Sequence, residues 1–435
     1  MFRRALAASF IAAVLSGGGL AEAQSASGTG RVTFFSTFQR ARFDSGTTRD
    51  FSEFSTSVTL RSRLPEGVSG VEYAFNVRGS AYPSSDGRDN RTRIYDAWAG
   101  GRTAGGRLSL RAGQMWLHEL GALGSVGGLM AEYRVVDGSA GRVRLGLFGG
   151  AEPKSFDAGF VPDVRKGGAW VSLDGRGMRR HVLAYVTTRN SGLTERSVLS
   201  ATNFVPVGSK FYLYQLAEYD LAGPGGTGAG GLNYFFANAR WTATSRVEVM
   251  ANVHRGRSID ARTIAQDILD GRPVDRKSLD GFLFESAGGR VTVEVLRNVR
   301  VHAGYATDRH NRDEQAYGRI SAGVWAGNVA GSGIDLTLSD HRTDGRDGSY
   351  DAWYVSAGRS FGTRLYASAD YATSLSVVHV ASGNTTVERR PRSSRYGLHG
   401  LCNITRSWSL LLDAERLIDE SATDDRGTLG LVIRF

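Results

Sequence analysis

The last nine residues of the chain, GTLGLVIRF (Gly427–Phe435), carry a large apolar side chain at every second position. These positions are Leu429, Leu431, Ile433 and Phe435. Successive side chains of a β-strand point to opposite faces, so the four share one face of an extended segment. The pattern predicts a strand that has one apolar face and ends on an aromatic residue.

The same period of two recurs along the chain, for example in VEYAFNVRGSAY (Val71–Tyr82), GIDLTLSD (Gly333–Asp340) and RLYASADY (Arg364–Tyr371). Such segments exceed the length of about five or six residues that is usual for strands of soluble proteins. They match the roughly 9–11 residues that a tilted strand needs to cross a bilayer. The period therefore predicts strands that span a membrane.

Short turns alternate with longer polar loops, as at Gly175–Gly177 and Glu152–Lys166. This rhythm is typical of outer-membrane barrels, whose periplasmic turns are short and whose extracellular loops are long. We predict an all-β fold, a transmembrane antiparallel up-and-down β-barrel of about 22 strands within a range of roughly 18–22, with both termini on the short-turn side. The strands over Leu193–Phe204 and Phe282–Leu296 have the weakest pattern, and TIAQDIL (Thr263–Leu269) is a weak helical candidate.

The first residues have the features of a secretory signal: Arg3 and Arg4, an apolar stretch, and the small-residue motif AEA at Ala21–Ala23. We predict a cleaved signal peptide over residues 1–23, followed by one transmembrane β-barrel domain over residues 24–435. This organisation predicts Sec-type export across the inner membrane and an integral location in the outer membrane.

Composition limits the partners. The formal net charge is +10, and Cys402 is the single cysteine, so no intrachain disulfide can form. An exported β protein rarely meets nucleic acid, so we expect none as a partner. Outer-membrane lipid, lipopolysaccharide and anionic solutes match a basic chain better, although a solvated basic surface explains the charge equally well.

Neighbouring histidines and acids raise the possibility of hydrolysis, at Asp308 with His310, Asp340 with His341, and His118 with Glu119. A catalytic dyad must converge in space, which adjacency in sequence does not show. Motifs for a catalytic metal or a nucleotide are absent from the sequence. We therefore expect no enzymatic activity, no cofactor and no metal.

Charged residues on the polar faces are the candidate lining of a pore. If the apolar faces meet lipid, these residues point inward. A water-filled lumen keeps their charges hydrated and so avoids the free-energy cost of burying them in a dry core. The first strands contribute a mostly basic sector and the last strands an acidic one, which would set up a transverse field; alternatively, the charges pair with neighbours on adjacent strands. The candidates are Arg61, Arg63, Arg78, Arg107, Arg111, Glu132, Arg142, Arg144, Asp335, Asp370, Asp413 and Glu415.

The segment MWLHELGALGSVG (Met115–Gly127) is unusual for an outer loop because it is apolar and rich in glycine. We expect it to fold into the barrel as a constriction loop, with Trp116, His118 and Glu119 as its candidate residues at the pore.

Aromatic residues cluster near the short turns, which favours an interfacial girdle over ordinary strand enrichment. The girdle candidates are Phe204, Phe211, Trp241, Trp325, Phe361, Trp408 and Phe435.

Together, the signal peptide, the alternating strands and the terminal LGLVIRF resemble Gram-negative outer-membrane β-barrels of the porin type. The resemblance implies that the barrel-assembly machinery recognises the C-terminal strand through Leu429, Leu431, Ile433 and Phe435. Barrels of about 22 strands are usually plugged, yet the first strand begins soon after the signal. We therefore expect either fewer strands or inward loops at Met115–Gly127, Ser258–Asp280 and Ser374–Ser393.

The expected function is a porin-like channel for passive diffusion of small hydrophilic solutes, including anionic ones. A polysaccharide or polymer export barrel and a closed structural barrel are the alternatives. The sequence leaves the solute and the oligomeric state open.

Overall fold

The structure is a computed structural model, and it describes residues 27–65, 68–83, 88–138, 141–155, 157–226, 230–311, 315–345, 348–382 and 385–435. The predicted signal peptide, residues 1–23, lies outside these ranges. Almost all of the described chain is β-strand, as the period of two predicts.

The strands are β1 (Ser27–Phe43), β2 (Thr48–Arg63), β3 (Gly70–Ala81), β4 (Arg91–Arg102), β5 (Leu108–Trp116), β6 (Ser125–Gly138), β7 (Gly141–Pro153), β8 (Phe160–Gly175), β9 (Arg180–Asn190), β10 (Leu193–Val207), β11 (Phe211–Ala222), β12 (Gly231–Thr242), β13 (Val247–Ser258), β14 (Phe282–Leu296), β15 (Val299–His310), β16 (Tyr317–Ala326), β17 (Ile334–Gly345), β18 (Gly348–Phe361), β19 (Leu365–Ser382), β20 (Thr385–Arg389), β21 (Arg392–Asn403), β22 (Trp408–Ile418) and β23 (Ala422–Arg434). Two α-helices, α1 (Ala261–Leu269) and α2 (Arg276–Asp280), lie between β13 and β14. A 3₁₀ helix, His118–Leu123, connects β5 to β6.

Each strand of the wall pairs antiparallel with its neighbours in sequence, and β1 pairs with β23 to close the sheet. The register of closure runs from Arg31 opposite Arg434 to Phe43 opposite Ala422. The short β20 extends the hairpin from β19, which also pairs with β21, so the described wall is a ring of 22 strands. Closure removes the sheet edges, which is the condition for a sheet to cross a membrane.

The two faces of the wall differ in composition. The outer face presents large apolar side chains to the surroundings, such as Leu129 (68% exposed), Leu147 (63%) and Leu412 (56%). The inner face carries most of the charged strand residues and the buried apolar cluster described below. An outer apolar face and a polar inner face are the arrangement of a transmembrane barrel.

The two weakest strand predictions are confirmed, since Leu193–Phe204 lies in β10 and Phe282–Leu296 is β14. The helical candidate Thr263–Leu269 falls within α1. The described residues of the segment Ser374–Ser393 instead belong to β19, β20 and β21, because the antiparallel ladder continues from β19 to β20 and β21. No helix of the described residues is long and apolar enough to cross a membrane.

The girdle interpretation is wrong for Phe204. Phe204 lies two residues from Thr202, which is opposite Val182 of the inner wall, so Phe204 also points inward. Phe211 and Trp241 are opposite each other on the outer face, where Trp241 is 51% exposed.

The C-terminal residue closes the barrel at the short-turn end. The backbone of Phe435 exchanges two hydrogen bonds with Gly30, at N–O distances of 2.7 and 3.0 Å. The Phe435 ring lies over Gly30, where a Cβ atom would come within 2.2 Å of the ring. An aromatic ring that covers a glycine of a neighbouring strand is a known way of fixing sheet register.

Candidate functional site

The loop between β5 and β6 folds into the barrel. Leu117, Leu120 and Leu123 are 3%, 1% and 8% exposed, and they belong to one buried cluster with residues of the wall. Val182 and Val186 of β9 are in this cluster. The outward side chains that alternate with them are exposed, so the cluster lies on the inner side of the sheet.

This placement gives a reason for the apolar composition of the segment. The inner faces of β7 to β10 supply its bed, and burying one leucine contributes about 1.5–3 kcal/mol. The burial free energy of the three leucines together is several times the thermal energy, so it holds the loop against the wall. The remaining members of the cluster are Met115, Val126, Phe148, Trp170, Ala184 and Val198.

A lysine of the wall also holds the loop. The Lys166 ammonium group on β8 donates a hydrogen bond to the carbonyl oxygen of Leu123 at 3.1 Å. The same group lies 3.8 Å from the carboxylate of Glu152. The contact satisfies a loop carbonyl that would otherwise be buried without a donor.

The three residues predicted to line a constriction, Trp116, His118 and Glu119, do not share one face of the wall. Trp116 follows the inward Met115 on β5, so it lies on the opposite face, and it is 42% exposed. His118 begins the 3₁₀ helix; desolvation, aided by the charges of Arg61 and Arg111, lowers its pKa against the opposing effect of Asp96. Glu119 lies in the same helical turn.

A second element, α1, lies at the long-loop end of the same wall and contacts β9 and β10. Its residues Ile264 and Ala265 are 2% and 0% exposed. Asp260 caps the helix, and hydrogen bonds from the side chain and backbone of Thr263 lower the pKa of Asp260. Ser258–Asp280 therefore includes a helix that packs against the barrel rather than an open loop.

An ion cluster connects α1 with the part of the wall on which the loop between β5 and β6 packs. The Arg262 guanidinium group lies 3.0 Å from Glu152 and 3.4 Å from Glu195. Glu152 is also the partner of Lys166, which holds the loop. The sequence pattern missed these residues, because Arg262 and Glu195 are 67 positions apart and only the folded wall brings them together.

The basic sector of the first strands is present but largely paired. Arg144 lies 3.3 Å from Glu132 and 2.9 Å from Asp174. Arg111 stacks over the Trp98 ring, 4.9 Å from its centroid, and lies 3.9 Å from Glu72.

The other basic candidates are distributed along the same strands. Arg78 pairs with Glu53 at 2.9 Å, and Arg142 pairs with Asp137 at 3.5 Å. The remaining three occupy separate positions: Arg61 opposite Ala74 of the inner wall, Arg63 opposite Ser27 at the end of β2, and exposed Arg107 immediately before β5.

The acidic sector forms a compact cluster around one histidine. His399 Nε2 lies 2.5 Å from Asp370, and His399 Nδ1 lies 3.2 Å from Asp413. Arg395 bridges Asp370 at 3.1 Å and Glu415 at 3.7 Å. Pairing with neighbouring strands, the alternative left open by the sequence, therefore describes most charges of both sectors.

Asp335 is the exception in the acidic set. It lies next to the turn before β17 and accepts a hydrogen bond from the backbone N–H of Asn328 at 2.9 Å. Its carboxylate thus stabilises a turn at the short-turn end and does not join the cluster around His399.

Space remains inside the barrel beside these charges. The side chains of Arg78 and Asp413 stay 45% and 53% exposed although both lie on inward faces. The closed sheet of 22 strands, its apolar outer face and its charged inner face define a transmembrane β-barrel of the outer-membrane, porin type.

No family model matches the chain, and no curated protein matches it. Among solved structures, the chain is similar to OccK2 (OpdF) of Pseudomonas aeruginosa, with 9% identity over 94% of this chain and 98% of that one and a TM-score of 0.47. It is also similar to OpdQ of Pseudomonas aeruginosa, with 8% identity over 94% and 99% and a TM-score of 0.45.

A third similar structure is OccAB4 of Acinetobacter baumannii, with 10% identity over 95% of this chain and 99% of that one and a TM-score of 0.44. At these identities the likeness concerns the shape of the barrel and gives no information on the solute.

Proposed function

We propose that the protein is an outer-membrane channel through which small hydrophilic solutes diffuse passively. The observation that carries this proposal is the exposure of charged side chains on the inner wall, at Arg78 and Asp413. Charged groups in a dry interior are very unfavourable, so a lumen lined in this way contains water.

The inward loop supports a channel with a constriction. It packs on the wall of β7 to β10, and the opposite wall carries the exposed charges of β19 to β22. A loop fixed to one wall narrows a lumen without needing a separate plug domain.

A catalytic role has less support than transport. Asp340 and His341 are consecutive strand residues that face opposite sides of the wall, since they are opposite Trp353 and Ala352 respectively. We infer transport without catalysis, with outer-membrane lipid, lipopolysaccharide and the barrel-assembly machinery as the partners of the barrel.

Conductance tests the proposal. The purified protein is first checked for heat-modifiable migration on a detergent gel and is then inserted in a planar lipid bilayer. We expect discrete current steps that persist over a range of voltages. A folded barrel without such steps would support the closed structural alternative, and steps that appear only with a bound polymer would support export.

A further inference from the structure

Half-buried rings form a line along the inner wall of β11 to β16. We call them the aromatic track: Tyr214, Phe236, His254, Phe284, His310 and Tyr317.

Four pairs of neighbouring rings in the track are close enough to interact. The centroid distances are 6.0 Å from Tyr214 to Phe236, 6.2 Å from Phe236 to His254, and 5.6 Å from His254 to Phe284. Phe284 is opposite His310 in the ladder, and His310 lies 6.5 Å from Tyr317. Separations of about 4.5–7 Å are those of interacting aromatic pairs.

The register shows that the track faces the lumen. Val182, Thr202, Leu216, Phe236 and His254 are opposite one another in turn across five strands. Directly opposite residues share a face of the sheet, and Val182 belongs to the inner cluster.

The track also runs along the pore. Tyr317 begins β16 at the long-loop end, whereas Tyr214 lies near the start of β11, beside a short turn. A second pair, Phe204 with Tyr212 at 6.0 Å, continues the line toward the short-turn end. A solute that follows these rings moves from the outer mouth toward the periplasmic side.

Two uncharged side-chain amides beside the track are available for hydrogen bonds with a ligand. Asn238 and Asn252 are opposite each other on the inner wall, and Asn238 is also directly opposite Tyr214. Neither amide forms a hydrogen bond with another residue of the described ranges. Each amide can donate and accept, which suits a ligand that carries hydroxyl groups.

Most charged groups near the track have an oppositely charged partner. Glu218 lies 3.0 Å from Arg196, Asp308 lies 3.7 Å from Arg319, and Arg240 pairs with Glu248. Arg290 of β14 lies opposite Met250 on the same face, donates to the Met250 sulfur at 3.1 Å and forms no ion pair with a described residue. The wall therefore offers ring faces and free amides with one unpaired cation at their edge, which suits a neutral ligand better than a strongly ionic one.

We propose that the aromatic track binds the rings of sugars, as mono- or oligosaccharides, and guides them through the pore. A sugar ring has an apolar C–H face and a rim of hydroxyl groups. The electron-rich face of an aromatic ring attracts the C–H face of the sugar. The side-chain amides of Asn238 and Asn252 form hydrogen bonds with the hydroxyl groups at its rim. This inference rests on the proposed channel function, since the track needs an open lumen to be of use.

Binding is measured by titrating maltotriose into the full barrel in lauryldimethylamine oxide micelles, which contain no sugar. We expect saturable binding that Phe236→Ala weakens by about tenfold, the order of magnitude for one lost stacking contact. Phe235→Ala is the matched control, because Phe235 precedes Phe236 on β12 and faces outward. We expect binding by Phe235→Ala to equal that of the wild type.

A parallel measurement of maltotriose block in a planar bilayer separates the two proposals. Current steps without maltotriose binding would overturn the sugar site and leave the channel intact. Binding that depends on Phe236 in a barrel without current would support the site and overturn the channel. Equal weakening by both variants, or binding of benzoate in place of maltotriose, would overturn the sugar assignment.

Discussion

At the scale of single residues, Phe435 makes a contact in the folded barrel that can be tested separately from the role we propose for it in assembly. Its backbone and ring close β23 onto β1 over Gly30, which is a contact in the folded barrel. We further propose that, with Leu429, Leu431 and Ile433, it is the signal read by the assembly machinery before the barrel forms. These three side chains and Phe435 alternate along the strand, and Leu429 and Phe435 are 51% and 60% exposed.

Two variants distinguish the roles of Phe435. Deletion of Phe435 is expected to lower outer-membrane assembly much more than expression, because the signal is lost. Gly30→Val keeps the signal but displaces the ring, so it should assemble normally and lose stability on the order of 1 kcal/mol. Assembly is measured by membrane fractionation, and stability by the temperature at which the folded gel band disappears.

Gly79→Val is the control for Gly30→Val, since a Cβ atom at Gly79 meets nothing within 4 Å. Normal assembly after deletion of Phe435 would contradict the signal role. A stability loss from Gly30→Val that persists in a Phe435→Ala background would contradict the contact, because the two residues would then act independently.

At the scale of elements, the loop Leu117–Gly124 has the character of a core segment rather than of a surface loop. Its leucines fill an apolar bed, and Lys166 holds its last turn through Leu123. The apolar composition of the segment predicts that it folds into the barrel. Composition does not identify the wall residues that hold it, because Lys166 is 43 residues from Leu123 in the chain.

Removing the loop should widen the pore. Trp116 and Ser125 are opposite each other, so an Asn-Gly turn can replace Leu117–Gly124 in a two-residue hairpin. We expect a higher single-channel conductance, because the lumen gains the volume of the loop. Unchanged conductance in a folded barrel would show that the narrowest point lies elsewhere.

Lys166→Met provides a milder test of the same element, with exposed Lys210→Met as its control. It leaves the loop in the chain but removes the hydrogen bond to Leu123 and the charge beside Glu152. We expect noisier open-channel current from a less firmly held loop, whereas Lys210→Met should give the current of the wild type.

At the scale of the whole molecule, the two charged sectors are not equivalent. Arg61 and Arg107 form no ion pair with another described residue, whereas the acids Asp413 and Glu415 pair with His399 and Arg395. Of the acidic candidates, Asp335 also forms no ion pair with a described residue, but its carboxylate is bound to the backbone of the turn at Asn328. The candidate residues therefore leave two unpaired arginines against one unpaired acid, and fixed charges on a pore wall determine ion preference.

This imbalance predicts a preference for anions. In a planar bilayer with a potassium chloride gradient, the reversal potential should show chloride passing more readily than potassium. Arg61→Gln combined with Arg107→Gln should move the reversal potential toward zero, and Arg406→Gln at a short turn should leave it unchanged. A wild-type channel that prefers potassium would contradict the prediction.

The sequence by itself determined the strands, their approximate number, the closing strand up to Phe435 and the inward course of the Met115–Gly127 segment. Each of these follows from local patterns, a period of two or an apolar composition, that a reader of the chain can see. The tertiary structure alone decided which charges pair, where the loop rests and that aromatic rings line the lumen. These features depend on the register between strands, which brings Asp370 to His399 and Phe236 to His254, and no local pattern encodes that register.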